Sequence, residues 1–170
     1  TRSFLQRSPM GSMIKVFAIY KTAFWRHKNL NGFAVGNLKT LELTADSSLP
    51  SGTPGILASF VTSSTAVAFQ QFSDAEKRKA ILDDLIAYWG PEAGRPEELL
   101  WENWNAEFWS TGAFTSFVTP GAWTTYGQRW QESHGRIHWA GTEASTRWPG
   151  YFEGAIEAGL QAAKKAMKHS

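Results

Sequence analysis

The side chains with the types and spacing for chemistry gather late in the chain. Gly141-Thr142-Glu143 follows the stretch at 136–140, and Gly150-Tyr151-Phe152 opens a helical pattern. A helix N-terminus offers free backbone N–H groups and the positive end of a dipole, so this arrangement suits an anion or an electron-rich ring. Gly150, Gly154 and Gly159 let the backbone approach a ligand closely, although the same spacing also serves helix–sheet packing. Lys15 is a second locus, the lone charge in the run MIKVFAIY. An unpaired ammonium is costly to bury, so Lys15 either acts on a bound group or buries its stem and extends its head to solvent. Glu153 and Glu157, four apart on one helix, could be an acid pair or two structural carboxylates.

Other chemistries lack their residues. The four histidines (His27, His134, His138, His169) show no ligand spacing, so no metal centre is expected. The absence of cysteine excludes thiol catalysis, disulfides and Cys-ligated metals. There is no G-x-S-x-G elbow, no P-loop and no G-x-G-x-x-G. A net charge of +2 is too weak to imply a nucleic-acid partner. No apolar run reaches the roughly 20 residues of a membrane span, and no signal-peptide pattern opens the chain. It opens on Thr1, as a processed chain or part of a longer polypeptide would. With 42% hydrophobic residues, 170 residues suffice for one ordinary domain or two small ones. Nine Trp, eleven Phe and four Tyr indicate an aromatic core, with some rings available for a ligand wall.

The elements that must position these residues follow from pattern. Residues 13–20, 32–35, 56–61 and 97–104 read as strands, and 41–51 as polar and irregular. Residues 73–89 read as a helix: Ser73 and Glu76 form a capping box, Ile81, Leu82, Leu85, Ile86 and Trp89 recur at helical spacing, and Gly90-Pro91 stops it. Residues 105–127 are rich in Gly, Thr, Ser and aromatics around a Pro120-Gly121 turn, a long irregular stretch of the kind that carries function. A short strand at 136–140 and a helix at 150–168, with Lys164, Lys165 and Lys168 near its C-terminus, complete the chain.

The C-terminal string GRIHWAGTEASTRWPGYFEGAIEAGLQAAKKAM, from Gly135 to Met167, closely resembles the flavin-binding segment of flavin-containing amine oxidases of the monoamine oxidase type. Its A-G-T-E and W-x-G-Y-x-E-G-A-x-E-A-G patterns are far more specific than a lone glycine motif. The resemblance extends back through Pro9-Met10-Gly11-Ser12-Met13-Ile14-Lys15-Val16, Phe24-Trp25-Arg26, Asn103-Trp104, Gly112, Thr119-Pro120-Gly121 and Tyr126-Gly127, in family order. It covers essentially the whole chain but only the C-terminal part of a family member. The family's Gly-rich ADP-binding βαβ unit lies in its N-terminal part.

The resemblance implies an α/β fold. Residues 1–106 would be part of a mixed-sheet substrate-binding domain, and 107–170 the C-terminal part of a Rossmann-like FAD-binding domain with its closing strand and helix. The implied activity is FAD-dependent oxidative deamination of an amine to an imine and aldehyde, with O2 as acceptor and hydrogen peroxide released. The isolated chain would be inactive without the N-terminal portion that carries the fingerprint. Lys15 corresponds to the family's lysine that holds a water near flavin N5. Tyr151 and Phe114 correspond to the two walls of its aromatic cage, where Phe114 replaces the usual Tyr and loses a hydroxyl. Trp104, Gly141, Thr142, Glu143, Gly150, Tyr151 and Phe152 correspond to residues along the flavin and its ribityl chain, with Glu143 in a structural hydrogen-bonding role. Members that attach FAD through a thioether carry Cys where this chain has Ala113, so FAD is expected to be non-covalent. No hydrophobic tail follows the last helix, so a soluble protein of cytoplasm or peroxisome is expected, with no membrane or nucleic-acid partner and a homo-oligomer left open. The alternatives are an L-amino-acid or polyamine oxidase of the same superfamily, a non-catalytic module retaining the fold, and an aromatic-rich carbohydrate-binding domain.

Overall fold

The computed structural model describes residues 2–127, 129 and 131–168; Thr1, His169 and Ser170 lie outside the described residues. The chain divides into two compact units, residues 12–112 and residues 1–11 with 113–170.

The first unit is built on a five-stranded sheet. Strands β1 (Met13–Tyr20), β2 (Ala34–Val35), β3 (Leu43–Asp46), β4 (Gly55–Thr62) and β5 (Glu98–Asn103) lie in the order β2-β3-β4-β1-β5. All four pairings are antiparallel. Period-two alternation turns Ile14, Val16, Ala18 and Tyr20 of β1 into the core and leaves Lys15, Phe17 and Ile19 half-buried on the other face. Leu57 and Val61 of β4 and Leu99 of β5 join the core face.

Two helices of this unit follow β4. The short helix Ser63–Phe69 buries Ala66 and Phe69. The longer helix Asp74–Trp89 starts where the capping box places it. The Ser73 hydroxyl accepts from the Glu76 N–H, and the Glu76 carboxylate accepts from the Ser73 N–H. It lays Ile81, Leu85 and Trp89 on the core. Its Asp84 is buried and accepts from the backbone N–H groups of Thr40 and Leu41 at 2.7 and 2.8 Å. Trp25, fully buried, donates its indole N–H to Asp46 at 2.8 Å, and the Arg26 guanidinium meets the same oxygen at 2.7 Å.

The second unit has little sheet. Residues 7–11 run along 113–119 through Ala113 N–H to Gly11 O, Gly11 N–H to Thr115 O, Phe117 N–H to Pro9 O and Thr119 N–H to Arg7 O. A Cβ at Gly11 would sit 2.4 Å from the Ala113 carbonyl oxygen, so this approach requires glycine. Short helices at Arg2–Leu5 and Ala122–Tyr126 and the long helix Phe152–Met167 complete the unit. In chain order these helices, with the two above, are α1 (Arg2–Leu5), α2 (Ser63–Phe69), α3 (Asp74–Trp89), α4 (Ala122–Tyr126) and α5 (Phe152–Met167).

Three local expectations are corrected. The stretch at 41–51 contains β3, because pairing with β4 (Leu43 opposite Phe60, Ala45 opposite Ala58) outweighs its weak local signal. The irregular stretch at 105–127 ends in the helical turn α4. The strand expected at 136–140 is not formed. Only the bridge between His134 and Ile137 occurs there, because no other strand among the described residues lies beside it.

Candidate active site and flavin cradle

Thr142 organises the second unit's polar centre. Its hydroxyl accepts from the Gly150 N–H at 2.8 Å and donates to the Tyr151 carbonyl at 2.9 Å, pinning the turn that leads into α5. That turn needs glycine at 150, where φ is +87°. Gly154 is required for a different reason: a Cβ there would lie 1.9 Å from the Trp148 carbonyl oxygen. Tyr151 is the N-cap of α5, and no side chain caps the helix, so its first-turn N–H groups stay available to a ligand.

Glu143 ties a second segment to this centre. Its carboxylate accepts from the Thr115 hydroxyl at 3.1 Å and the Ser116 N–H at 3.2 Å. The Ser145 hydroxyl donates to Glu157 of α5 at 2.7 Å and accepts from the backbone of Arg147 and Trp148. Glu157 is thereby a structural brace.

These bonds leave the rings facing outward. Phe114 is 66% exposed, Tyr151 68% and Phe152 92%. Phe114, Thr142, Gly150, Tyr151, Phe152 and Ala155 line one cavity of about 440 Å³. Phe114, Gly150 and Tyr151 also border a second, of about 750 Å³, with Ser116 and Glu143 in its wall. Both volumes suit small-molecule sites. The Ser116 hydroxyl is buried and has no hydrogen-bond partner. It is the functional candidate that sequence reasoning missed, since a serine in a Thr/Ser/Phe run carries no motif.

The predicted residues thus fall into groups. Phe114, Thr142, Gly150, Tyr151 and Phe152 share a cavity, Glu143 borders its neighbour, and Gly141 caps the turn Thr142–Ala144 without lining either. Lys15 and Trp104 belong to the other unit. Lys15 extends its ammonium over the rings of Phe17 and Phe60, 4.9 and 5.8 Å from their centroids. Trp104 follows β5 and is partly exposed. Its neighbour Asn105 accepts from the Met13 N–H at 3.0 Å and donates to the Ser12 hydroxyl at 3.2 Å, holding this corner against the start of β1.

The profile of the flavin containing amine oxidoreductase family matches residues 2–167. The chain belongs to this family. It is 44% identical over 159 residues to the L-amino acid dehydrogenase of Synechocystis sp., covering 94% of this chain and 34% of that protein. It is 36% identical over 166 residues to the flavin-containing amine oxidase B of Sus scrofa, covering 96% and 32%. Among solved structures, wild-type putrescine oxidase bound to putrescine superposes with a TM-score of 0.91 at 28% identity, over 98% of this chain and 37% of that one. The chain therefore spans about a third of the length of these relatives, and its α/β architecture is that of part of an FAD amine oxidase.

A flavin is the cofactor that this family implies, and the second unit fits one. The unpartnered Ser116 hydroxyl, the open backbone at Gly150 and the outward rings of Phe114 and Tyr151 are features of a surface that receives a polar, aromatic group. Among the described residues no helix is long and apolar enough to cross a membrane.

Proposed function

We propose that this chain is the C-terminal portion of a flavoenzyme that oxidises the C–N bond of an amine to an imine, which water hydrolyses to an aldehyde, with O2 reduced to hydrogen peroxide. The observation that carries the reading is the pair of outward rings, Phe114 and Tyr151, on one cavity beside the Thr142-pinned Gly150 turn. Bound FAD would accept a hydride from the carbon beside the amine nitrogen, and the nitrogen's proton would pass to solvent.

In this reading residues 1–106 are part of the substrate-binding domain, and 107–170 are the C-terminal part of the FAD-binding domain. Gly141, Thr142, Glu143, Gly150, Tyr151 and Phe152, with Trp104, hold the flavin. Phe114 and Tyr151 orient the amine with their electron-rich faces, and Lys15 holds a proton-bearing water at the reacting centre. Ala113 carries no thiol, so the FAD is non-covalent. The separate chain is inactive without the portion that carries the dinucleotide fingerprint.

The 44% identity to an L-amino acid dehydrogenase favours a second reading, in which the substrate is an L-amino acid and O2 is a poor acceptor. One experiment separates the two. Protein purified from its source should show flavin bands near about 450 nm that pass into the supernatant on acid precipitation. Anaerobic addition of benzylamine should bleach them and L-amino acids should not, with peroxide appearing on admission of air. Bleaching by L-amino acids alone selects the second reading. A flavin that stays with the pellet refutes non-covalent binding, and a flavin-free complete enzyme refutes both.

A further inference from the structure

The end of β1 beyond Lys15 borders a cleft that amine oxidation does not use. Tyr20, the last residue of the strand, is buried and donates its hydroxyl to the Ala93 carbonyl at 2.9 Å, which ties the turn Pro91–Gly94 to the strand. The Glu97 N–H, bonded to the Ile19 carbonyl at 2.7 Å, anchors the chain where it leaves that turn. Phe24 meets the Tyr20 ring edge-on, with the centroids 5.2 Å apart. These contacts frame a cavity of about 350 Å³ lined by Tyr20, Lys21, Thr22, Phe24, Pro91, Glu92 and Arg95, within the size range of small-molecule sites. The wall is unevenly charged. Its one carboxylate, Glu92, is met by Lys28 at 3.4 Å. Lys21 and Arg95 have no ion-pair partner among the described residues. Two uncompensated cations on one concave wall attract an anion, and a guanidinium presents a fork that fits a carboxylate or a phosphate.

We propose that this cleft binds a small organic anion, with its carboxylate or phosphate group between Lys21 and Arg95 and its body against Pro91 and Phe24. The cavity has more room than a bare oxyanion fills, and Pro91 and Phe24 supply an apolar side for the remainder. The site lies wholly within residues 12–112 and uses no residue assigned to the flavin or the amine. Lys21 and Arg95 are both exposed, so the binding is modest in strength and weakens with salt.

The test is acetylation of the complete enzyme with a dilute N-hydroxysuccinimide ester, followed lysine by lysine by peptide mass spectrometry. Phenyl phosphate or phenylacetate is added while KCl keeps the ionic strength constant. The expected result is that at least one of the two slows acetylation of Lys21 saturably, by about fivefold or more, and leaves Lys79 on α3 unchanged. The anion that protects at the lower concentration identifies the head group. Arg95→Gln should raise the protecting concentration about tenfold, and Glu92→Gln, which removes the carboxylate from the wall, should lower it. Absence of protection by both anions would overturn the site. So would equal protection by KCl alone, equal protection of Lys79, or protection that Arg95→Gln leaves unchanged.

Discussion

Residues 12–112 bury a large set of big apolar side chains, whereas residues 113–170 with 1–11 leave nearly all of theirs exposed. In the first unit Trp25, Ile14, Leu57, Ile81 and Leu85 are all fully buried on the side of the sheet that carries α3. In the second, Phe4 is the one large residue in a buried set otherwise made of Ala122, Ala144, Ala158 and Ala162, among the described apolar residues. Phe114, Trp148, Tyr151, Phe152 and Leu160 are exposed there. The difference is one of what holds shape. The first unit is held by apolar burial, which is non-directional and strong in sum. The second is held by side-chain hydrogen bonds from Thr142, Glu143 and Ser145, which place a few atoms accurately and leave apolar surface exposed. Substitutions in the first unit should therefore register as lost stability, and at the cavity of the second as lost activity.

The largest effect is expected at Trp25. Trp25→Ala removes a fully buried ring and one donor to Asp46, and should destabilise the protein by about 4 kcal/mol in denaturant unfolding. A cost below about 1 kcal/mol would break the comparison at its strongest point, since it would mean that the first unit does not depend on its core. Asp84→Ala comes next, at about 3 kcal/mol, because the Thr40 and Leu41 N–H groups lose their shared buried acceptor. Asp84→Asn keeps an acceptor oxygen and should recover part of that loss in the same assay.

Tyr151→Ala tests the opposite side of the contrast. In the complete enzyme it should lower kcat/KM for the amine about 100-fold, roughly 2.7 kcal/mol of transition-state stabilisation. The unfolding free energy should move by no more than about 0.5 kcal/mol, because the ring is largely in solvent. Equal losses of activity and stability would show that the ring is packing, and the division between the two units would fail.

The sequence made the self-contained unit easiest to read. The alternation in MIKVFAIY places β1 at Met13–Tyr20, and the Ser73–Glu76 capping box places α3, because both signals are local and nothing distant opposes them. Strand β3 escaped because Leu43–Asp46 is short and becomes a strand only by pairing with β4. Residues 136–140 show the converse, a strand pattern whose pairing partner is not among the described residues. At the candidate site, the family pattern singles out Thr142, Gly150 and Tyr151, and the structure adds the bonds that join them. The unpartnered Ser116 hydroxyl and the brace from Ser145 to Glu157 were not legible, since each depends on distances between segments that no spacing rule encodes.

The smallest effect concerns acid. Burial by itself pushes the Asp46 carboxyl up, but the hydrogen bonds from Arg26, Ser48 and Trp25 prevail and hold it at about 2, below its ordinary 3.8. A carboxyl lowered on folding contributes stability that is fully present above its unfolded value and is lost as the pH falls through its folded one. The window therefore runs from about pH 4 down to about pH 2, and the amount at stake is on the order of 2 kcal/mol. Glu76, lowered by the Ser73 hydroxyl and N–H of the capping box, acts in the same direction, so acid sensitivity of the native protein alone does not isolate Asp46. Asp46→Asn does. It should unfold at lower denaturant than the native protein at about pH 5, and the two curves should draw together at about pH 2. Curves that stay parallel would show that Asp46 is a passive acceptor, and that packing around Trp25 holds this edge of the sheet without the carboxylate.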